Sequence, residues 1–310
     1  MERGKVKKYK ILLIMVVLLL VTGCTTYLKT NDNKNVVYET TGQNLPKNIF
    51  CQPSDKKVIK IYKKNNVDIS KLPLCTEFKI NDGGYEGLWN SFFVKPLAWV
   101  ILTVGTLVKN YGLSLIIIGF LIRLAMYPLT KGTAMQSEKM AQAKPEIDRI
   151  EKKYKDKSNK EEMMNKSKET MQVYQKYKIN PLSSCLFAFL QLPLFFAFLE
   201  AINRVPAIYE GNFLYLQLGT TPLTAILEKG QFQYLIVVAL LALVTYYSLK
   251  VNKAVAINAD ANNQMAFMNK FLIFFIPAAA LTMSTAIALY WITSSAFTIF
   301  QNIIVKRSKK

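Results

Sequence analysis

The side chain best placed to do chemistry is an arginine in the middle of an apolar stretch. Arg123 lies within residues 111–130, a run long enough to cross a bilayer. A charge at that depth costs roughly 2.5–3.5 kcal/mol, while each surrounding Leu, Ile or Phe returns about 0.3–0.6 kcal/mol, so the segment still inserts. At about 1.5 Å per residue, Arg123 lies roughly 12 Å from Lys131, too far to reach water along the helix. We therefore expect the guanidinium to face a wet, protein-lined cavity.

A structural ion pair is the alternative role for Arg123. Glu200, near the end of a later apolar run, is the acidic residue that such a pair would use, because no other Asp or Glu lies deep in an apolar run. Further polar or aromatic side chains interrupt the later apolar runs, namely Gln191, Tyr290, Trp291 and Gln301. Polar groups in a membrane need either partners on other helices or a hydrated cavity.

Composition excludes several classes of protein. The 310 residues are 51% hydrophobic and contain several long apolar runs, which is typical of an integral membrane protein. The net charge of +20 comes largely from lysines beside those runs, which indicates topology and anionic lipid rather than binding to a specific nucleic acid sequence. Histidine is absent and the four cysteines are scattered, so we expect no metal, no cofactor and no enzyme active site.

Residues 1–23 predict a lipoprotein signal peptide, because a basic head precedes a short apolar core. The core ends in a sequence that resembles a bacterial lipobox, in which the thiol of Cys24 would carry the lipid. An uncleaved signal anchor is the alternative. The prediction places residues 24–87 outside the cell, where Cys51 and Cys75 are candidates for a disulfide, with two free thiols as an equal alternative.

The rest of the chain divides into an interfacial helix, five spans and a cytoplasmic hairpin. Aromatic residues and Lys95 within residues 88–110 favour an amphipathic helix on the outer surface; a full span is the rival interpretation, and it conflicts with the lysines that follow residue 130. The predicted boundaries are first span 111–130, hairpin 131–180, second span 181–203, outer loop 204–231, third span 232–250, cytoplasmic loop 251–266, fourth span 267–283, fifth span 284–305 and basic cytoplasmic tail 306–310.

Local patterns refine three of these segments. Apolar residues at helical spacing on both sides of a turn at residues 157–159 predict two helices in the hairpin, with a solvated coiled-coil spacer as the alternative to a partner-binding role. Residues 271–305 would be about 52 Å long as one helix, so we expect a turn near residues 282–285. The alternation of residues 58–62 predicts a short strand in the outer segment.

Several stretches together resemble the YidC/Oxa family of membrane-protein insertases, and the resemblance covers about residues 88–305. They are Leu88-Trp-Asn-Ser-Phe-Phe-Val-Lys-Pro-Leu, Tyr111-Gly-Leu-Ser, Leu121-Ile-Arg-Leu-Ala-Met-Tyr-Pro-Leu-Thr, Lys144-Pro-Glu-Ile, Lys153-Tyr-Lys, Tyr174-Gln-Lys-Tyr-Lys-Ile-Asn-Pro-Leu, Gln191-Leu-Pro, and Ala288-Leu-Tyr-Trp with Gln301. With the lipobox, the chain is most similar to the Gram-positive lipoprotein form. The serines after Pro181 depart from the glycines that are usual there.

This resemblance implies an all-α membrane protein whose five spans enclose a hydrophilic groove, open to the cytoplasm and to lipid but closed outside. It assigns Arg123 to the centre of the groove and Gln191, Tyr290, Trp291 and Gln301 to its lining. The expected activity is insertion of nascent membrane proteins into the plasma membrane, with the ribosome, signal-recognition targeting factors and the Sec translocon as expected partners. A small anion transporter or channel is the second hypothesis, although no paired repeat is visible, and a structural lipoprotein scaffold is the third.

Overall fold

The structure is a computed structural model that describes residues 25–154, 159–180, 182–251 and 262–307. The predicted signal peptide 1–23 and the lipidation site Cys24 lie outside the described residues. Most of the predicted cytoplasmic loop 251–266 and the end of the tail 306–310 also lie outside them.

The described chain is mostly helical, as the predicted all-α class requires. Its helices are α1 Lys56–Lys64, α2 Gly87–Trp89, α3 Lys95–Leu107, α4 Tyr111–Ala125, α5 Tyr127–Lys153, α6 Lys160–Lys176, α7 Leu182–Arg204, α8 Pro206–Tyr209, α9 Pro222–Leu227, α10 Tyr234–Val251, α11 Asn262–Thr282 and α12 Thr285–Arg307. A π-helical turn at Asn90–Val94 joins α2 to α3.

Two small antiparallel sheets, which the sequence did not predict, lie in the connecting segments. In the first, β1 (Val37–Tyr38) pairs with β2 (Gln43–Asn44). In the second, β3 (Asn212–Phe213) pairs with β4 (Leu216–Gln217), so that Phe213 lies opposite Leu216. Each sheet has two strands of two residues, and the class of the fold is therefore set by the helices.

Three helices among the described residues are long and apolar enough to cross a membrane. They are Gly87–Leu107, which combines α2, the π turn and α3, together with α10 and α12; a fourth is obtained if α4 and the bent continuation Thr130–Lys153 count as one broken span. The structure thus has three or four candidate spans, and the total of five stays a prediction. Because Gly87–Leu107 meets the same length and composition test, the surface orientation of residues 88–110 also stays a prediction.

The predicted first span is interrupted in the structure. Helix α4 ends at Ala125, before the predicted end at residue 130, and α5 begins at Tyr127. Pro128 explains the new start, because its missing N–H and fixed φ suit the first turn of a helix and not the interior of one. Pro145 lies inside α5, which continues to Lys153.

The long apolar run near the carboxyl end breaks where a turn was expected. Helix α11 ends at Thr282 and α12 begins at Thr285. The Ser284 carbonyl accepts bonds from the backbone amides of Ile287 and Ala288, at 3.0 and 3.2 Å, in the first turn of α12.

The strand predicted at residues 58–62 is wrong, because these residues belong to helix α1. Asp55 caps the helix by accepting a bond from the Lys57 amide at 2.7 Å. Val58 and Tyr62, four residues apart, are both buried, as one face of a helix requires. A window of five residues fits both periods, so the cap and not the alternation decides.

The described residues form two compact units. The first comprises the chain up to Ile118 with Gln191–Val237 and Ala280–Tyr290; the second comprises Gly119–Leu190, Val238–Ala279 and Trp291 onwards.

In the first unit, the segment that precedes α2 has an apolar core of its own. Buried members of this core are Leu28, Tyr38, Leu45, Ile49, Val58, Tyr62, Ile69 and Tyr209. Tyr209 comes from α8, and the Tyr62 hydroxyl donates to the carbonyl of Pro46 at 2.6 Å. Cys51 and Cys75 form a disulfide beside this core.

In the second unit, α5 and α6 pack as a helical hairpin. Its core consists of Met140, Ala143, Ile147, Val173, Tyr174 and Ile179. Asn159 caps α6 by accepting a bond from the Glu161 amide at 3.0 Å. Ion pairs join Lys176 to Glu146 at 2.7 Å and Lys153 to Glu169 at 2.6 Å across the hairpin.

Candidate functional site

Arg123 is buried near the end of α4, with 6% of its surface exposed. Its Nε donates to the Ser294 hydroxyl of α12 at 2.8 Å, and its Nη2 donates to the same oxygen. The residue types permit this geometry, since a guanidinium has five donors and a serine hydroxyl can accept two bonds. The charged side chain is therefore oriented by a neutral hydroxyl on a neighbouring helix.

A second polar contact, two turns further along α12, joins that helix to the start of α5. Gln301 Nε2 donates to Thr130 Oγ1 at 2.8 Å, and that hydroxyl lies 3.1 Å from the Met126 carbonyl, to which it donates. Gln301 lies seven residues after Ser294, which places both on one face of α12. We call Arg123, Thr130, Ser294 and Gln301 the polar ladder. All four lie in the second unit.

The polar ladder can bind and orient charge. The guanidinium is permanently cationic and suits carboxylates and other planar acceptors. Between packed apolar helices, Coulomb attraction is several times stronger than in water. The four residues include no pair of nucleophile and general base, so their chemistry is recognition of a polar or acidic group.

Glu200, the carboxylate considered as a structural partner for Arg123, has other contacts in the first unit. Its Oε2 accepts from Trp89 Nε1 at 3.0 Å, and its Oε1 accepts from Arg204 Nη1 at 3.2 Å. Glu200 and Arg204 are one helical turn apart on α7 and both are buried.

Arg204 is the centre of a buried charge cluster that sequence reasoning missed. Only 1% of its surface is exposed, and its guanidinium lies 3.7 Å from the ring centre of Phe50. Further contacts of the guanidinium are Glu86 at 2.7 Å, Asn90 Oδ1 at 3.1 Å and the Asn48 carbonyl at 2.6 Å. The single arginine at the end of an apolar run was the available signal, but apart from Glu200 its partners lie more than 100 residues away in sequence.

Lys95 completes this cluster. Its side chain is fully buried, and Nζ lies 3.1 Å from Glu86 Oε1 while donating to the carbonyls of Asp82 and Gly84 at 2.8 and 2.6 Å. Burial raises the pKa of Glu86, but the bonds to Arg204 and Lys95 together outweigh it, so the net pKa is lower than usual. The charge of Lys95 is thus balanced within this cluster, by one carboxylate and two backbone carbonyls.

The other predicted groove residues are described within their own units. In the first unit, Tyr290 is buried and its ring stacks on Phe198 with centroids 3.9 Å apart. Gln191 lies two residues before Pro193 in α7, and its Oε1 is buried without a hydrogen-bond partner among the described residues. In the second unit, Trp291 is half-buried on α12. Of the five predicted groove residues, the structure brings Arg123 and Gln301 together in the polar ladder.

Comparison with known proteins gives a consistent result. The family model described as 60Kd inner membrane protein matches residues 103–310. The membrane protein insertase YidC of Oceanobacillus iheyensis is 31% identical over 243 residues, covering 75% of this chain and 90% of the relative. The membrane protein insertase MisCA of Bacillus subtilis is 34% identical over 219 residues, covering 70% of this chain and 79% of the relative.

A solved structure shares the fold. An active YidC insertase crystal structure with its first transmembrane domain resolved aligns with a TM-score of 0.51 at 22% identity, covering 80% of this chain and 53% of that chain. This chain therefore spans about half the length of that solved protein.

These findings define a multi-pass membrane protein of the insertase class. The chain belongs to the 60Kd inner membrane protein family, whose members include the YidC and MisCA insertases. The resemblance to the Gram-positive insertases is thereby confirmed.

Proposed function

We propose that this protein moves nascent hydrophobic segments from the cytoplasm into the plasma membrane through a hydrophilic groove that contains Arg123. The relatives named as insertases support nascent membrane proteins as the substrate class and the bilayer as the destination. No bond is broken in this process, since the free energy comes from burying apolar surface in lipid, on the order of 25 cal/mol per Å².

The observation that carries the proposal is the buried guanidinium of Arg123 held by the Ser294 hydroxyl within an apolar helix. A fixed positive charge attracts an acidic or polar part of an entering segment more strongly in a low dielectric than it would in water. Thr130 and Gln301 extend this polar face, so that backbone groups of the substrate find hydrogen-bond partners partway across.

The groove is proposed to be enclosed by five spans and lined also by Gln191, Tyr290 and Trp291. The buried, unpartnered Oε1 of Gln191 supports this assignment, because an acceptor of that kind is satisfied by water or by a bound chain. The stack of Tyr290 on Phe198 supports a packing role for the ring and leaves the groove assignment of Tyr290 to experiment.

On the outer side the groove is proposed to be closed. Hydrogen bonds within the first unit support closure: Thr220 Oγ1 donates to the Thr41 carbonyl at 2.7 Å, and the Thr285 amide and hydroxyl both donate to the Thr220 carbonyl at 2.9 Å. These bonds cross-link the segment before α2, the loop after β4 and the start of α12. We assign Cys24 as the lipid anchor on this face and the carboxyl terminus to the cytoplasm.

On the cytoplasmic side, the hairpin of α5 and α6 is proposed to receive the substrate and its delivery machinery. Its lysines and its exposed methionines, Met163, Met164 and Met171, offer a charged and adaptable surface. The ribosome, signal-recognition targeting factors and the Sec translocon are the proposed partners, and the insertase acts either alone or beside the translocon.

Insertion of a labelled single-span protein into liposomes that contain only this protein tests the proposal. We expect Arg123→Ala to abolish insertion and Arg123→Lys to retain part of it, because lysine keeps the charge but loses the planar fork. Lys131→Ala is the matched control, since it removes an exposed cation from the same region and should insert normally. Full insertion by Arg123→Ala would refute the role of the arginine.

A further inference from the structure

The β3–β4 hairpin ends in two exposed apolar side chains. Leu214 and Tyr215 form the turn, with 76% and 91% of their surfaces exposed. Leu214 has φ of +54°, in the left-handed region that bulky side chains rarely adopt. The backbone is therefore strained at the position where this leucine is exposed.

The hairpin is attached to the beginning of α4. Asn110 Nδ2 donates to the Asn212 carbonyl at 3.3 Å. The Phe213 side chain packs so closely against Gly112 that a Cβ at that glycine would collide with it. The position of the hairpin tip is therefore fixed relative to the first turn of α4.

The same corner exposes apolar side chains from α3 and α4. Leu107 is 80% exposed and Leu113 is also exposed, beside the exposed Lys109. We call Leu107, Leu113, Leu214 and Tyr215 the hairpin corner. In addition, the sequence from Gly211 to Leu227 contains no Asp, Glu, Lys or Arg, which is unusual for a connection that faces water.

We propose that the hairpin corner binds lipid, with the tip of the hairpin immersed in the membrane interface at the beginning of α4. The first turn of a spanning helix lies at the boundary between headgroups and acyl chains, and the hairpin is fastened to that turn. Tyrosine favours this depth and Lys109 can reach the headgroups beside it. The absence of charge from Gly211 to Leu227 fits a surface in contact with lipid.

The proposal rests on α4 entering the bilayer, as the proposed function requires, but not on insertase activity. If it holds, the connection between α7 and α10 is a membrane contact and not a solvated loop. This contact would fix the first turn of α4 in the interface while substrates pass.

Site-specific fluorescence on the full chain in vesicles of phosphatidylglycerol and phosphatidylethanolamine tests the proposal. The variant Tyr215→Cys carries an environment-sensitive dye on its new thiol. It is made in a Cys185→Ala background that keeps the Cys51–Cys75 disulfide. Lys34→Cys is the matched control, because Lys34 is an exposed residue next to another turn of the same unit. The background without an added cysteine corrects for label at any other site.

The expected result is a blue-shifted emission at residue 215 that shallow spin-labelled lipids quench and aqueous iodide does not, with the opposite behaviour at residue 34. Iodide quenching at both sites would overturn the proposal. A blue shift without lipid quenching would also overturn it, because the tip would then be covered by a second copy or another protein.

A second variant separates the apolar side chain from the backbone strain. Leu214→Asn removes the apolar group but suits the left-handed conformation, so the hairpin should fold at least as well. We expect the equilibrium between immersed and exposed tip to shift towards water by about tenfold, as the loss of one buried leucine implies. Unchanged lipid quenching of the residue 215 dye in this variant would argue against immersion of Leu214.

Discussion

Arg204 Nη2 lies 2.7 Å from Glu86 Oε2 and joins the end of α7 to the residue that precedes α2. The same guanidinium also contacts Glu200, Asn90 and the ring of Phe50, so that one side chain holds together segments that are far apart in sequence. Charges of this kind are costly to bury and strongly destabilising to leave without a partner.

Replacing this arginine should therefore destabilise the first unit. Arg204→Met leaves Glu86 and Glu200 without their shared cation, and we expect a loss of about 3–5 kcal/mol. Arg204→Lys keeps the charge while losing the planar contacts, so its loss should be smaller. Thermal unfolding in detergent, with protease cleavage of residues 25–86 as a local readout, measures both variants. Equal stability of Arg204→Met and the parent would contradict the assigned role.

The ion pairs of Glu86 also predict a dependence on pH. Because the folded pKa of this carboxyl is depressed, its contribution is present above the usual value of 4.5 and is lost as pH falls through the folded value. Glu86→Gln should be less stable than the parent at neutral pH, and the difference should shrink below about pH 4.5. Unfolding midpoints of the parent and the variant between pH 3 and pH 7 give the comparison. If the difference in stability between the parent and Glu86→Gln stays constant over this range, the charge of Glu86 does not contribute to stability.

How far the fold could be predicted depended on the range of the interactions. The turn between α11 and α12 followed from helix length against bilayer thickness, and the helical hairpin followed from periodicity. The break at Met126 was missed because the apolar run continues through Pro128, and composition alone does not distinguish a break from a span end. The strand predicted at residues 58–62 failed because the cap at Asp55 decides the local structure.

In the candidate site, too, local features could be predicted from the sequence and long-range contacts could not. Arg123 was identifiable because a charge in an apolar run is costly wherever the run folds. Its contact with Ser294 and the contact of Gln301 with Thr130 each join residues 171 positions apart, which no local pattern encodes. Composition suggested the headgroup boundary for Lys95, and did not predict that its side chain is fully buried in an ion pair with Glu86.

The helical hairpin should owe its stability to its apolar core more than to its surface ion pairs. Ile147 is buried between α5 and α6, and Ile147→Ala should cost about 2–4 kcal/mol. Lys176→Ala removes an exposed pair with Glu146 and should cost less than about 1 kcal/mol. Hydrogen exchange of α6 amides in the full chain measures both, and a larger effect of the lysine variant would reverse this ranking.

The disulfide between Cys51 and Cys75 should stabilise the segment before α2. Its ends are separated by 24 residues, and the closure of such a loop is worth about 3 kcal/mol. A variant with both cysteines changed to serine should be cleaved faster by protease within residues 25–86. The α5–α6 hairpin is the internal control, because its cleavage rate should not change.

The polar ladder predicts that insertion depends on Gln301 as well as on Arg123. Gln301→Leu keeps the size of the side chain and leaves Thr130 bonded to the Met126 carbonyl, so the fold should survive. Losing one polar contact for the substrate backbone costs about 1 kcal/mol, which predicts a roughly fivefold slower insertion in liposomes. Thr298→Val on the same helix is the control, since the Thr298 hydroxyl bonds only within α12, to the Ser294 carbonyl at 3.0 Å, among the described contacts. Because Gln301→Leu leaves Arg123 in place, a slow Gln301→Leu beside a normal Thr298→Val would show that substrates need the length of the polar face and not the charge alone.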